Sequence, residues 1–166
     1  MKSHFNFKYL FFAAAIFLSS CSKSPEEIVL IQSQPKLTNV DLGQPGASHG
    51  DLLIYEGDLK TQDGKPSGKL QGCLITVDIP ESNGIADDAD EDRFGTLIFQ
   101  LNEQDNIVAG GVTNYQTQQV EMPNNLPQVR AITGGTGKYL TARGQLTTVK
   151  NADGTYTHTF EIVNLR

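Results

Sequence analysis

The stretch "ITGGTGKYLTARG", residues 132–144, decides how the rest of the chain is read. Its run Gly134-Gly135-Thr136-Gly137-Lys138 has the look of a phosphate-binding loop. Spacing rejects that. The loop G-x-x-x-x-G-K-[ST] needs a glycine five residues before Gly137 and a hydroxyl after the lysine. Ile132 and Tyr139 occupy those positions. The dinucleotide pattern G-x-G-x-x-G fails as well, because Leu140 stands where its last glycine belongs. No helical apolar stripe comes after it to aim an N-terminus at a phosphate. Instead the segment from Tyr139 to Lys150 is rich in threonine and alternates like a β-strand. The glycines are therefore not a nucleotide loop.

Working outward, the same alternation recurs. Candidate strands are "IVLIQ" (28–32), "DLLIYEGDLK" (51–60), "KLQGCLITVDI" (69–79), "RFGTLIFQL" (93–101) and "IVAGGV" (107–112). "QVRAIT" (128–133), "YLTARGQLTTVK" (139–150) and "TYTHTFEIVNL" (155–165) complete the set. The last two are joined by Asn151-Ala152-Asp153-Gly154, a strong hairpin signal. "PKLTNVDLGQPGASHG" (35–50), "ESNGIADDADED" (81–92) and "QTQQVEMPNNLP" (116–127) read as loops. About eight short strands without helical periodicity predict an antiparallel sandwich or barrel. An eight-stranded barrel has an interior that side chains fill or that holds one small ligand. Periodicity alone does not separate the two.

Of the 166 residues, the first twenty stand apart. Lys2 and Lys8 are their only charges, and "YLFFAAAIFL" is a short apolar run of the export-signal kind. Leu18-Ser19-Ser20-Cys21 resembles a bacterial lipobox, which makes Cys21 the expected lipidated residue. The expected organisation is a lipoprotein signal peptide over 1–20, a tether over 21–27 and one β-barrel domain over 28–166. The expected location is the bacterial cell envelope, anchored to the membrane through the N-terminal lipid. Ser22 after the cysteine is the type that directs such proteins to the outer membrane in enteric bacteria. Removing the signal leaves 11 of the 13 bases and all 19 acids, a net charge of −8. So acidic a chain, with no basic stripe, excludes nucleic acid as a partner. Cys73 would then be the one cysteine beside Cys21, so stability rests on the core and not on a disulfide.

Several stretches together resemble the allene oxide cyclase and dirigent superfamily. They are Gly50-Asp51 with Tyr55, the Gly68 and Gly72 strand, "DRFGTLIFQLNEQDNIVAGG" and above all "VRAITGGTGKYLTARGQL". The likeness spans about residues 50 to 162. It implies an all-β fold, an eight-stranded antiparallel β-barrel with a cavity for a small, largely apolar or phenolic molecule. It also implies a turn role for the glycines, trimers among relatives and no cofactor. The implied activities are conformational steering of a ring closure, as in an isomerase, or of a coupling. The cyclase glutamate falls near Gln32, and the acid some dirigent proteins carry after "GGTG" is Lys138 here. On this resemblance Asp51, Tyr115 and Arg143 are candidate catalytic residues, and His158 joins them from its place on the apolar face of the last strand. Tyr55, Tyr156 and Phe160 are candidate ligand contacts.

Each has a plainer reading. Asp51 is also suited to bonding backbone amides at a strand entrance, and Arg143 is an anion clamp only if its face points inward. His158 alternates with Tyr156, Phe160 and Ile162, where a hydrogen-bonded core histidine is common. Cys73 reads as an inert thiol. Asp88, Asp90 and Asp92 have the opening spacing of an EF-hand, but Arg93 replaces the glycine and Phe99 the closing glutamate, so no metal is expected. No G-x-S-x-G elbow is present, which leaves hydrolase chemistry without support. Two alternatives stay open: a carrier of an apolar ligand, and a solid barrel that binds a protein partner.

Overall fold

The computed structural model describes residues 24–43, 45–79, 90–116 and 119–164. The signal segment, Cys21 and most of the acidic loop lie outside the described residues. The strands are β1 (Glu26–Gln32), β2 (Lys36–Val40), β3 (Leu52–Thr61), β4 (Pro66–Asp78) and β5 (Asp90–Gln100). They continue with β6 (Asn106–Gln116), β7 (Gln128–Gly135), β8 (Ala142–Lys150) and β9 (Tyr156–Asn164). A single 3₁₀ turn, Gly137–Tyr139, is the one helical element among the described residues.

All pairings of the sheet are antiparallel, and each strand from β3 to β9 lies beside its sequence neighbours. β1 closes the ring. Its whole length pairs with β9, and Leu30, Ile31 and Gln32 also pair with Thr61, Lys60 and Leu59 of β3. The fold is thus a closed eight-stranded barrel with one extra strand, and the sandwich alternative is settled against.

The extra strand is β2, in a segment expected to be loop. Beyond a break at Ser33–Pro35 it takes up the β3 edge that β1 leaves, pairing Lys36 with Glu56 and Val40 with Leu52. Proline cannot donate to a ladder, so the break falls where Pro35 stands. The side chains of β2 are largely exposed, which removes the buried alternation that would have marked it. β5 likewise begins at Asp90, inside the predicted acidic loop, because Glu91 and Arg93 point inward and extend its alternation.

The "GGTG" turn has the architectural role the resemblance implied. Gly137 has φ +57°, and a Cβ there would collide with the Asp105 carboxylate. That carboxylate accepts the Lys138 backbone N–H at 3.0 Å, tying the β7–β8 connection to the β5–β6 hairpin. Lys138 itself is exposed, and Tyr139 is buried as the floor of the barrel.

The interior divides along the axis. The Tyr139 end holds Leu30, Leu59, Phe99, Ile107, Leu146 and Phe160, all at most 2% exposed. Phe99 and Phe160 meet edge to face at 4.8 Å. The buried polar residues gather at the other end, where β4, β6, β8 and β1 finish and β5, β7 and β9 begin.

Candidate functional site

At the polar end a small cavity of about 40 Å³ is bounded by Tyr55, Tyr115, Tyr156, His158, Arg130 and Gln32, with Leu53, Leu74 and Met122 as apolar walls. A space of this size holds about one or two waters. Met122 is the reason: it comes from the segment after β6, is 5% exposed, and packs with Leu53, Leu74, Tyr115 and Tyr156. Residues 119–125 lie over the mouth and are fastened on two sides. On one side Arg93 donates to the carbonyls of Gln119 and Val120 at 2.8 and 2.9 Å while pairing with Glu91. On the other, Glu121 accepts from Lys150 Nζ at 2.9 Å and from the Tyr156 hydroxyl at 2.7 Å. Burial raises the Glu121 pKa, but those two donors outweigh it and hold the carboxyl below its usual range.

The barrel wall is thinned to admit the aromatic groups. Gly72 faces Tyr55 across the β3–β4 pair, and a Cβ there would strike the phenol ring. Burial pushes the Tyr55 hydroxyl well above the ordinary phenol range. Tyr156 moves the same way, through burial and then its bond to Glu121. Both stay protonated donors at neutral pH. The Tyr115 hydroxyl accepts from Arg130 Nη2 at 3.3 Å, which leaves its proton free to donate, and the Arg93 guanidinium lies 4.4 Å from its ring centroid.

His158 sits under this cluster with both ring nitrogens engaged. Nδ1 is 3.0 Å from the Thr148 hydroxyl and Nε2 is 2.9 Å from Gln32 Oε1. Gln32 Oε1 only accepts, so Nε2 carries the proton and Nδ1 accepts from Thr148. Burial, then the nearby Arg130 charge, lowers its pKa to about 3. The ring is neutral at physiological pH and links β1, β8 and β9.

No family model matches the sequence, and no curated protein matches it. Solved structures do match. A pyocyanin demethylase is similar with a TM-score of 0.64 and 23% identity, over 83% of this chain and 100% of that one. A Diels-Alderase from Streptomyces koyangensis gives 0.62 and 16%, over 84% of this chain and 64% of that one. A pterocarpan synthase dirigent protein gives 0.56 and 16%, over 95% of this chain and 99% of that one. The likeness is one of fold: a closed antiparallel barrel shared with these proteins. The chain spans just under two thirds of the Diels-Alderase it resembles.

Within the barrel, the residues singled out in the sequence separate into groups. Tyr55, Tyr115, Tyr156 and His158 converge on the cavity. Phe160 does not line it; it lies deeper, in the apolar half. Asp51 stands outside the cavity, at a rim crevice shared with Glu91 and Arg93. It accepts from the Leu42 and Ser48 amides at 2.8 Å each, and these bonds, led by that from Leu42, lower its pKa against the effect of burial. Arg143 is exposed on the outer wall, bonded to its neighbour's carbonyl, because β8 turns Ala142 and Leu146 inward. Neither can touch a molecule in the cavity as the chain stands. Arg130, Thr148 and Met122 went unremarked in the sequence. The signal for Arg130 was there, since it shares its phase in "QVRAIT" with Ile132. Among the described residues no three His, Cys, Asp or Glu are grouped to hold a metal ion.

Proposed function

We propose that the polar half of the barrel binds a small apolar or aromatic molecule and steers a ring closure or coupling by fixing its conformation. The observation that carries this is the convergence of three tyrosines and a buried arginine on one space, where an apolar core would serve stability equally well. Entry requires Met122 to swing out, which a flexible thioether side chain does readily. The ligand then takes the volume Met122 fills. Holding reacting ends in contact supplies much of a cyclisation barrier. Tyr115 is placed to donate to a developing oxyanion as the ring closes. The enzymatic and dirigent roles of the similar structures favour this reading, as does the sequence resemblance. His158, neutral and doubly bonded, serves as scaffold here and not as base. We also propose that the protein is exported and anchored through Cys21.

A second reading has its own support. The cavity of about 40 Å³ is far below the roughly 300–1,000 Å³ of small-molecule sites. On that reading the barrel is solid and acts through a partner. Native mass spectrometry of the protein taken from a lipid-rich extract separates the two. A retained apolar compound supports the ligand-binding barrel. A clean apo mass, unchanged by added fatty acids or phenolics, overturns it in favour of the packed one.

A further inference from the structure

Two arginines are buried in the polar half, and they are not equivalent. Arg93 is neutralised by Glu91 and also donates to two carbonyls. Arg130 is 4% exposed, and among the described residues no carboxylate lies within ion-pair distance of it. Its Nη2 reaches only neutral oxygens: Thr113 at 2.8 Å, and Tyr115 and Gln128 at 3.3 Å. Among the described residues its Nε has no hydrogen-bond partner. Gln32 Nε2, bounding the same cavity, is a second buried donor without a partner. A guanidinium cannot shed its proton, so it must stay charged there. Leaving a buried charge uncompensated is among the costliest arrangements in a protein interior. Arg130 and Gln32 both line the same cavity of about 40 Å³.

We propose that Arg130 is the seat of a ligand carboxylate, and that the barrel takes a small apolar acid inserted carboxylate first. One oxygen would accept from Arg130 Nε and the other from Gln32 Nε2, completing both donors. The acid's apolar body would then occupy the space of Met122 between Leu53, Leu74 and Tyr115. This rests on the ligand-binding reading above and narrows it to a chemical class. It also assigns a binding role to an arginine on β7, on the opposite side of the wall from Arg143.

The test is a titration of ¹⁵N-labelled protein with decanoate, decanol and formate, following the Arg130 Nε–H resonance. The resonance is assigned by its loss in Arg130→Lys. The expected result is a saturable downfield shift with decanoate, at a midpoint at least tenfold below that of decanol, in keeping with a charge-assisted bond. Arg130→Gln should abolish that preference while leaving the unliganded protein as stable as before or more so, since it removes an unpaired charge. If that variant does not fold, the wild-type titration and Arg130→Lys carry the test. Equal binding of decanoate and decanol, untouched by Arg130→Gln, sinks the carboxylate seat and spares the ligand-binding barrel. A shift with formate alone does the reverse: the anion seat stands and the apolar-ligand reading falls. No shift with any of the three removes the seat.

Discussion

Phe160 and His158 are two residues apart on β9, point the same way and belong to different halves of the interior. Phe160 is 0% exposed, packs edge to face on Phe99, and has no polar atom to satisfy. His158 is just as buried at 2%, yet both of its ring nitrogens are engaged, and Phe99 packs against it too at 4.9 Å. One half is held by shape and loss of water-exposed area. The other is held by donors and acceptors that must each find a partner, and two of those donors do not. The contrast separates an apolar half that carries stability from a polar half with donors to spare.

Phe160→Ala puts this contrast under the greatest strain. Truncating a fully buried phenylalanine should cost about 3–5 kcal/mol, read by urea unfolding. A loss below about 1 kcal/mol would mean the apolar half is not the stabilising one. The next largest effect is pH. The native His158 pKa of about 3 lies below the unfolded value of 6.5, so its contribution is fully present above pH 6.5 and is lost as pH falls toward 3. Between pH 7 and 5 the protein should lose about 2 kcal/mol from this group, at about 1.36 kcal/mol per unit. His158→Gln should flatten that slope, whereas Phe160→Ala should leave it unchanged.

Fastening of the mouth is a smaller matter. Glu121→Gln weakens a partly exposed ion pair and should cost under about 1 kcal/mol, while speeding proteolytic cleavage within 119–125 and ligand uptake. Stability lost by several kcal/mol would make the segment part of the core. Smallest of all, Arg143→Ala on the outer wall should stay within about 0.5 kcal/mol and leave ligand retention unaltered. A marked loss of binding would restore Arg143 to the site.

The sequence made the strands legible because each buried one alternates, and it made the β8–β9 turn legible because Asn151 to Gly154 leaves little other choice. β2 was hidden, since an exposed edge strand beside Pro35 carries no buried phase. Barrel closure was legible only through the family resemblance. It depends on Leu30 to Gln32 meeting Thr61 to Leu59, a pairing no local pattern encodes. In the site, tyrosines on apolar faces were readable as cavity groups. Arg130 shared its phase with Ile132 but went unremarked, because Val129 at 50% exposure and Arg130 at 4% reverse the usual preference for which of two neighbours faces water.

The seam has a consequence in time. β1 is made first and β9 last, and seven residues of one pair with seven of the other. Until β9 exists, β1 has only its three-residue foothold on β3, and the chain remains an open sheet with two bare edges. Such distant pairing makes folding slow. The chain therefore cannot close its barrel until β9 is made, and until then both sheet edges stay open.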